Sequence, residues 1–284
     1  MKKIVYTILA LVILTASTQA QIKTPAPSPT STVKQAVGLG DITLVYSRPS
    51  VKGRTIFGDL VPFDKIWRTG ANSSTKISFS EEVKIGGTKV PAGEYALYTI
   101  PGKTEWTFII HKNTTYWGSD DENYKQSEDM VRLTARPVSL SSNVESFTIS
   151  FDDLTSNSAM LNLSWEKTKV GFKIETDIDT KVLASIESTL NPKPSASSYY
   201  SAASYYYDNN KDMAKALEYV NKATEMNKEG FWIMHLKAKI QTRMKDYKGA
   251  AISANASIAE ATKQKNADYV ALNEKLLAEN AKMK

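Results

Sequence analysis

The chain contains no cysteine, which excludes disulfides, thiolate zinc sites, iron–sulfur clusters and thiol nucleophiles. It has only two histidines, His111 and His235, too few for a histidine-rich metal site, and no resident metal or cofactor is expected. Glycine and proline number 13 and 10 in 284 residues and follow no period, so a collagen-like chain is excluded. No Gly-x-Ser-x-Gly elbow and no Gly-rich phosphate loop occurs, which disfavours hydrolase and nucleotide-binding readings. Beyond the first twenty residues no apolar run approaches the roughly 20 residues that cross a bilayer, so the mature protein is expected to have no transmembrane segment.

What remains is 42% hydrophobic and 10% aromatic, enough to bury the core of one large or two ordinary domains. Met1-Lys2-Lys3, the apolar run Ile4–Leu14 and the small residues before Ala20 read as a signal peptide over 1–20, cleaved near Ala20. The expected address is therefore periplasmic or secreted. The formal charge of +6 is unevenly placed. Residues 21–191 carry 19 basic and 20 acidic side chains, and residues 192–284 carry 15 and 10. Lysines spread among glutamates on helices read first as a solvated face. No stripe of the kind that binds nucleic acid is present, and no nucleic-acid partner is expected.

Residues 21–32, with Pro25, Pro27 and Pro29 among Ser and Thr, read as a flexible lead-in. From 33 to 178 short runs rich in Val, Ile, Thr, Phe and Tyr are separated by turns. These runs are Asp41–Ser47, Thr75–Phe79, Val83–Ile85, Thr88–Val90, Glu94–Ile100, Trp106–His111, Phe147–Phe151, Ala159–Trp165 and Val170–Thr176. Gly86-Gly87 reads as a hairpin turn. Many strands with no long helix between them predict an antiparallel β-sandwich, with a barrel-like variant as the alternative.

The texture changes at 179. Val182, Leu183, Ile186 and Leu190 recur at helical spacing, and Asn191-Pro192-Lys193-Pro194 ends the run, giving a connecting helix and linker over 179–195. Residues 196–284 are all helical in pattern and repeat at 34 residues: Asp212 with Asp246, Ala216 with Ala250. With Tyr207, Ala223 and Ala238, this period resembles the tetratricopeptide repeat, and 267–283 would be its capping helix. Gln241 and Ser257 depart from that pattern. The resemblance makes the helical module a possible site for a protein partner. Five tyrosines between 199 and 207 are expected to pack against the β-sandwich, with a peptide groove as the alternative.

The most distinctive string lies between Ser47 and Phe79. It holds Arg48, Lys52, Arg54, Trp67, Arg68, Asn72 and Thr75 amid turn residues. Guanidinium forks suit carboxylate or phosphate oxygens and stack on aromatic faces. An anionic or sugar-like ligand is one reading; the other has the arginines tying an irregular loop to its own carbonyls. With Val90-Pro91-Ala92-Gly93-Glu94-Tyr95, Pro101, Trp106, Trp117-Gly118, Tyr124, Asp129 and Arg132, this string closely resembles the bacterial domain-of-unknown-function family 2911. That resemblance implies an exported β domain of Bacteroidetes-type bacteria and no established reaction. It adds Trp117, Tyr124, Asp129 and Arg132 to the candidate ligand-binding residues.

No catalytic residue is singled out. The expected function is a non-enzymatic binding or scaffolding protein of the envelope, with an unknown small-molecule or envelope-polymer ligand at the β domain. The rival is a hydrolase of carbohydrate or another envelope polymer, drawing an acid from 120–129 near Arg54 and Arg68.

Overall fold

A computed structural model describes residues 24–116 and 124–283. The segment read as a signal peptide, and Trp117, lie outside the described residues.

Among the described residues, ten strands precede six helices. The strands are β1 Thr30–Val37, β2 Gly40–Ser47, β3 Thr75–Phe79, β4 Val83–Ile85, β5 Thr88–Val90, β6 Gly93–Ile100, β7 Trp106–His111, β8 Asp129–Ala135, β9 Val138–Asp152 and β10 Ser158–Glu175. They form one six-stranded sheet, β1-β2-β3-β6-β7-β8, and one four-stranded sheet, β5-β4-β10-β9. Every named pairing is antiparallel.

Alternation explains the layers. In β3, Thr75, Ile77 and Phe79 are buried while Lys76 and Ser78 point away, so period two puts one face inside. Leu44, Ile77, Leu97, Phe108 and Ile110 of the first sheet meet Ile85, Phe147, Leu163, Phe172 and Ile174 of the second in one core. Gly86 and Gly87 turn between β4 and β5 with φ of 56° and 84°, the left-handed backbone that a tight hairpin requires.

Several details differ from the sequence expectation, among them β9, which starts at Val138 rather than near Phe147. β1 begins at Thr30, inside the segment read as flexible, because its backbone pairs along β2 from Thr30↔Ser47 to Val37↔Gly40. The runs Ala159–Trp165 and Val170–Thr176 belong to one long strand, β10, which bends at two register shifts around Glu166. β8 was not anticipated; it pairs with β7.

The helices are α1 Asp179–Thr189, α2 Ala196–Asp208, α3 Met213–Met226, α4 Phe231–Arg243, α5 Tyr247–Lys263 and α6 Ala267–Ala281. The 34-residue period has a local cause: Asp212 and Asp246 are both N-caps. Asp212 accepts from the Ala214 and Lys215 amides at 2.8 and 3.2 Å, and Asp246 accepts from Gly249 at 2.9 Å. Such caps contribute about 1 kcal/mol each. Ala216 and Ala250, four residues on, are fully buried and let the paired helices approach closely.

The α2 tyrosines pack within the helical region rather than against the sheets. Tyr199 and Tyr206 meet Tyr219 of α3 at 6.2 and 5.6 Å, and Lys239 and Arg243 of α4 sit over the Tyr207 ring. The physical reason is that α2 faces α3 and α4, leaving few links to the β region. Links to the β region include Ser156 Oγ to Asn209 at 2.9 Å and the Lys181–Glu81 ion pair at 2.5 Å. Among the described residues, no helix is long and apolar enough to cross a membrane.

Candidate functional site

Residues 48–74, between β2 and β3, form an irregular segment stitched to both sheets. The Val51 amide donates to Glu145 O and the Phe147 amide to Pro49 O, at 2.8 Å each, while Trp67 and Thr99 exchange backbone bonds of 2.7 and 3.0 Å. Trp67 enters the core there. It stacks on Trp165 with centroids 6.0 Å apart, packs edge-on to Phe57, Trp106 and Phe147, and donates from Nε1 to Gly70 O at 3.1 Å. Gly70 is demanded by the fold: at φ 151° an added Cβ would lie 3.0 Å from the Ser47 carbonyl.

This segment walls a cleft of about 540 Å³ that includes Arg54, Trp67, Arg68 and Asn72. Four of the sequence candidates thus share one opening. Lys65 adds a third cation, and Leu60, Pro62 and Ile66 supply an apolar flank. Among the described lining residues there is no carboxylate. The described lining thus carries three basic side chains, in a β region whose net charge is near zero.

The arginines are also tied to the loop. Arg54 donates from Nε to Val51 O at 3.0 Å and from Nη2 to Ser50 O at 2.5 Å. Arg68 donates from Nη1 to Asn72 O at 2.6 Å. Asn72 reaches the Ser28 carbonyl at 3.3 Å and Ser47 Oγ at 3.1 Å, joining the lead-in to the cleft rim. A guanidinium has five N–H donors, and Arg54 commits two of its groups to loop carbonyls while lining the cleft.

The remaining candidates stand elsewhere. Arg48 points to β9, bonding Phe147 O at 3.0 Å and Thr148 Oγ1 at 2.7 Å. Lys52 is exposed, with its amide held by Glu145 at 2.9 Å. Thr75 is buried and donates to Thr69 O at 2.6 Å. Trp117 lies outside the described residues.

Tyr124, Asp129 and Arg132 form a separate triad. Tyr124 donates to Asp129 at 2.5 Å, and Arg132 binds Asp129 at 2.6 Å and the Tyr124 oxygen at 3.0 Å. Burial, then the bond to Asp129, pushes the Tyr124 phenol up to about 12. Asp129 and Glu128 are the described acids of the 120–129 stretch. Neither lines the cleft, and Glu128 accepts from Tyr116 at 3.2 Å.

The triad borders a cluster on the outer face of the first sheet. Lys76, Ala96, His111 and Asp129 fall in one cross-strand row, and Tyr98 and Ile109 pair in the adjacent row. The His111 ring lies 5.7, 5.5 and 5.0 Å from those of Tyr98, Tyr116 and Tyr124. His111 and Tyr98 are buried, and His111 Nε2 and the Tyr98 hydroxyl make no hydrogen bond to described residues. The Lys125 carbonyl and the Ser74 hydroxyl are close enough only to bias the two ionisations. Burial holds the His111 imidazole below its ordinary range and raises Tyr98; burial also lowers the Lys76 ammonium, against the pull of Glu94.

Sequence reading did not assemble this cluster. Its signal was the alternation of β6 and β7, which puts Tyr98, Ile109 and His111 together on the face opposite the core. Among the described residues no group of three His, Asp or Glu is placed to hold a metal ion.

Residues 28–174 match a family model described as "Protein of unknown function (DUF2911)". No curated protein and no solved structure matches the chain.

Proposed function

Since the chain belongs to a family of proteins of unknown function, DUF2911, we propose its role from the site itself: a non-enzymatic binding protein of the cell envelope that holds an anionic ligand in the Arg54–Asn72 cleft. One observation carries the reading. The cleft wall combines Arg54, Lys65 and Arg68 with an apolar flank, and its described residues include no carboxylate. Guanidinium forks match carboxylate and phosphate oxygens, and low-dielectric walls strengthen the attraction. The basic start and apolar run of residues 1–20 support export. The recurring N-capping aspartates 34 residues apart support a tetratricopeptide-like stack in the helical region, a shape suited to a protein partner.

The test is a thermal-shift series at constant ionic strength with inorganic phosphate, glucuronate and neutral glucose. A ligand at a hundred times its dissociation constant stabilises by about 2.7 kcal/mol. Phosphate or glucuronate is expected to raise Tm while glucose does not, and Arg54→Gln is expected to abolish the rise. Equal shifts with glucose, or an undiminished shift in the variant, would overturn the reading.

A further inference from the structure

The segment 113–116 is fastened to the outer face of the first sheet by four bonds from different elements. The Asn113 amide donates to His111 Nδ1 at 3.0 Å. The Lys76 ammonium of β3 donates to the Thr114 carbonyl, and Ser74 Oγ donates to the Tyr116 carbonyl at 3.1 Å. The Tyr116 hydroxyl reaches Glu128 at 3.2 Å. Within the segment, Asn113 Oδ1 accepts from the Thr115 amide and hydroxyl at 2.9 and 2.8 Å, so these residues move as one turn.

The first of these bonds sets the protonation state of the ring. A backbone N–H can only donate, so Nδ1 must present its lone pair, and the single proton of the neutral imidazole is on Nε2. The basic atom of His111 is therefore one of the atoms that hold the turn. We propose that His111 is a proton-operated latch: a proton taken from solvent onto Nδ1 displaces the Asn113 N–H and releases residues 113–116 from the sheet. The bond that breaks is the Asn113 N–H···Nδ1 hydrogen bond. The new Nδ1–H then opposes that N–H, donor against donor.

The surroundings decide when the latch opens. Lys76 of β3 lies in the same cross-strand row as His111. Tyr98 from β6, Tyr116 and Tyr124 surround the ring as neutral phenols, each with its ionisation raised chiefly by burial. Glu128 and Asp129 favour the imidazolium, and Arg132 of β8 offsets Asp129 through its 2.6 Å bond. Burial outweighs the acids, so the closed state holds His111 neutral. The sign follows from proton linkage. With the folded value depressed, the released state binds the proton more readily, and the closed state loses stability as pH falls below about 6.5.

Replacing His111 by Asn separates the latch from a merely structural contact. The Asn oxygen keeps an acceptor near the Nδ1 position and does not titrate. Amide hydrogen exchange at residues 113–116 is read as protection factors at about pH 7.5 and pH 5, a span over which an ordinary histidine gains its proton. The wild type is expected to lose protection there by about tenfold, with β6 and β7 unchanged and His111→Asn flat. An equal loss in wild type and variant overturns the proposal. A second reading needs no variant: the 15N shifts of the wild-type ring must show the proton on Nε2 near neutrality. A proton on Nδ1 there overturns it as well.

Discussion

The two regions bury their interiors by different chemistry. The β region fills its core with large aromatic and branched side chains: Trp67, Trp106, Phe147 and Trp165 interlock, and the indole N–H groups of Trp67 and Trp165 find carbonyls at 3.1 and 3.2 Å. The helical region adds alanine at close approach and polar relays to a smaller cluster of Tyr206, Val220, Ile233, Leu236 and Ile240. Asn273 of α6, fully buried, donates to Ser257 Oγ of α5 at 2.8 Å and pairs with His235 of α4 at 2.8 Å, while Ser257 donates to the Phe231 carbonyl at 2.7 Å. Gln241 receives Ser253 Oγ at 2.6 Å and donates to Asp246 at 3.1 Å. Non-directional burial holds the first core; satisfied polar groups fix the helix registers in the second. The difference teaches that equal burial responds unequally to mutation.

Three substitutions sharpen that contrast. Trp67→Ala removes the ring at the centre of the aromatic group and is expected to cost about 3–5 kcal/mol. Urea unfolding read by tryptophan fluorescence and by helical circular dichroism tells whether both regions melt together. A helical signal that stays at its wild-type midpoint makes them independent units, and a common shift makes them one. Asn273→Ala strips partners from His235 and Ser257 without a large change in apolar area, and is expected to cost about 1–3 kcal/mol. A loss as large as that of Trp67→Ala would erase the distinction between the cores. Lys181→Ala breaks the exposed ion pair to Glu81, one of the links between the regions. Its expected cost is below about 1 kcal/mol and shrinks with salt; a salt-independent loss would mean that the regions depend on this junction.

Period-two and period-3.6 patterns made most of the fold legible. Thr75–Phe79, the Val83–Val90 hairpin and Trp106–His111 form strands with the bounds read from sequence. β1 was hidden because its sequence, TSTVKQAV, follows a Pro-rich stretch and has no continuous apolar face; pairing with β2 decides it. The register shifts at Glu166 were hidden because a left-handed backbone there (φ 51°) and a carboxylate that accepts from the Ile56 amide at 3.1 Å, 110 residues away, have no local sequence signal. Tertiary bonds of that kind leave no local trace.

The site was legible in part for the same reason. Arg54, Trp67, Arg68 and Asn72 are close in sequence and share a cleft. Arg48 and Thr75, from the same string, serve β9 and the loop base instead. His111 was read alone as an end-of-strand residue, since its tyrosine neighbours come from β6 and from either end of the 112–124 stretch.

The anchoring of Arg54 to its own loop has a consequence for discrimination between ligands. A free arginine surrenders about 2 kcal/mol of rotamer entropy when it clamps an anion. Arg54 has already surrendered most of it to Val51 and Ser50, so the guanidinium plane is set before any ligand arrives. A donor fork that cannot swing rewards the anion whose oxygens match its plane and penalises one of equal charge and different shape. On the proposed anion-binding role, planar carboxylates and tetrahedral phosphates are expected to differ at this cleft, mainly in how long each stays bound.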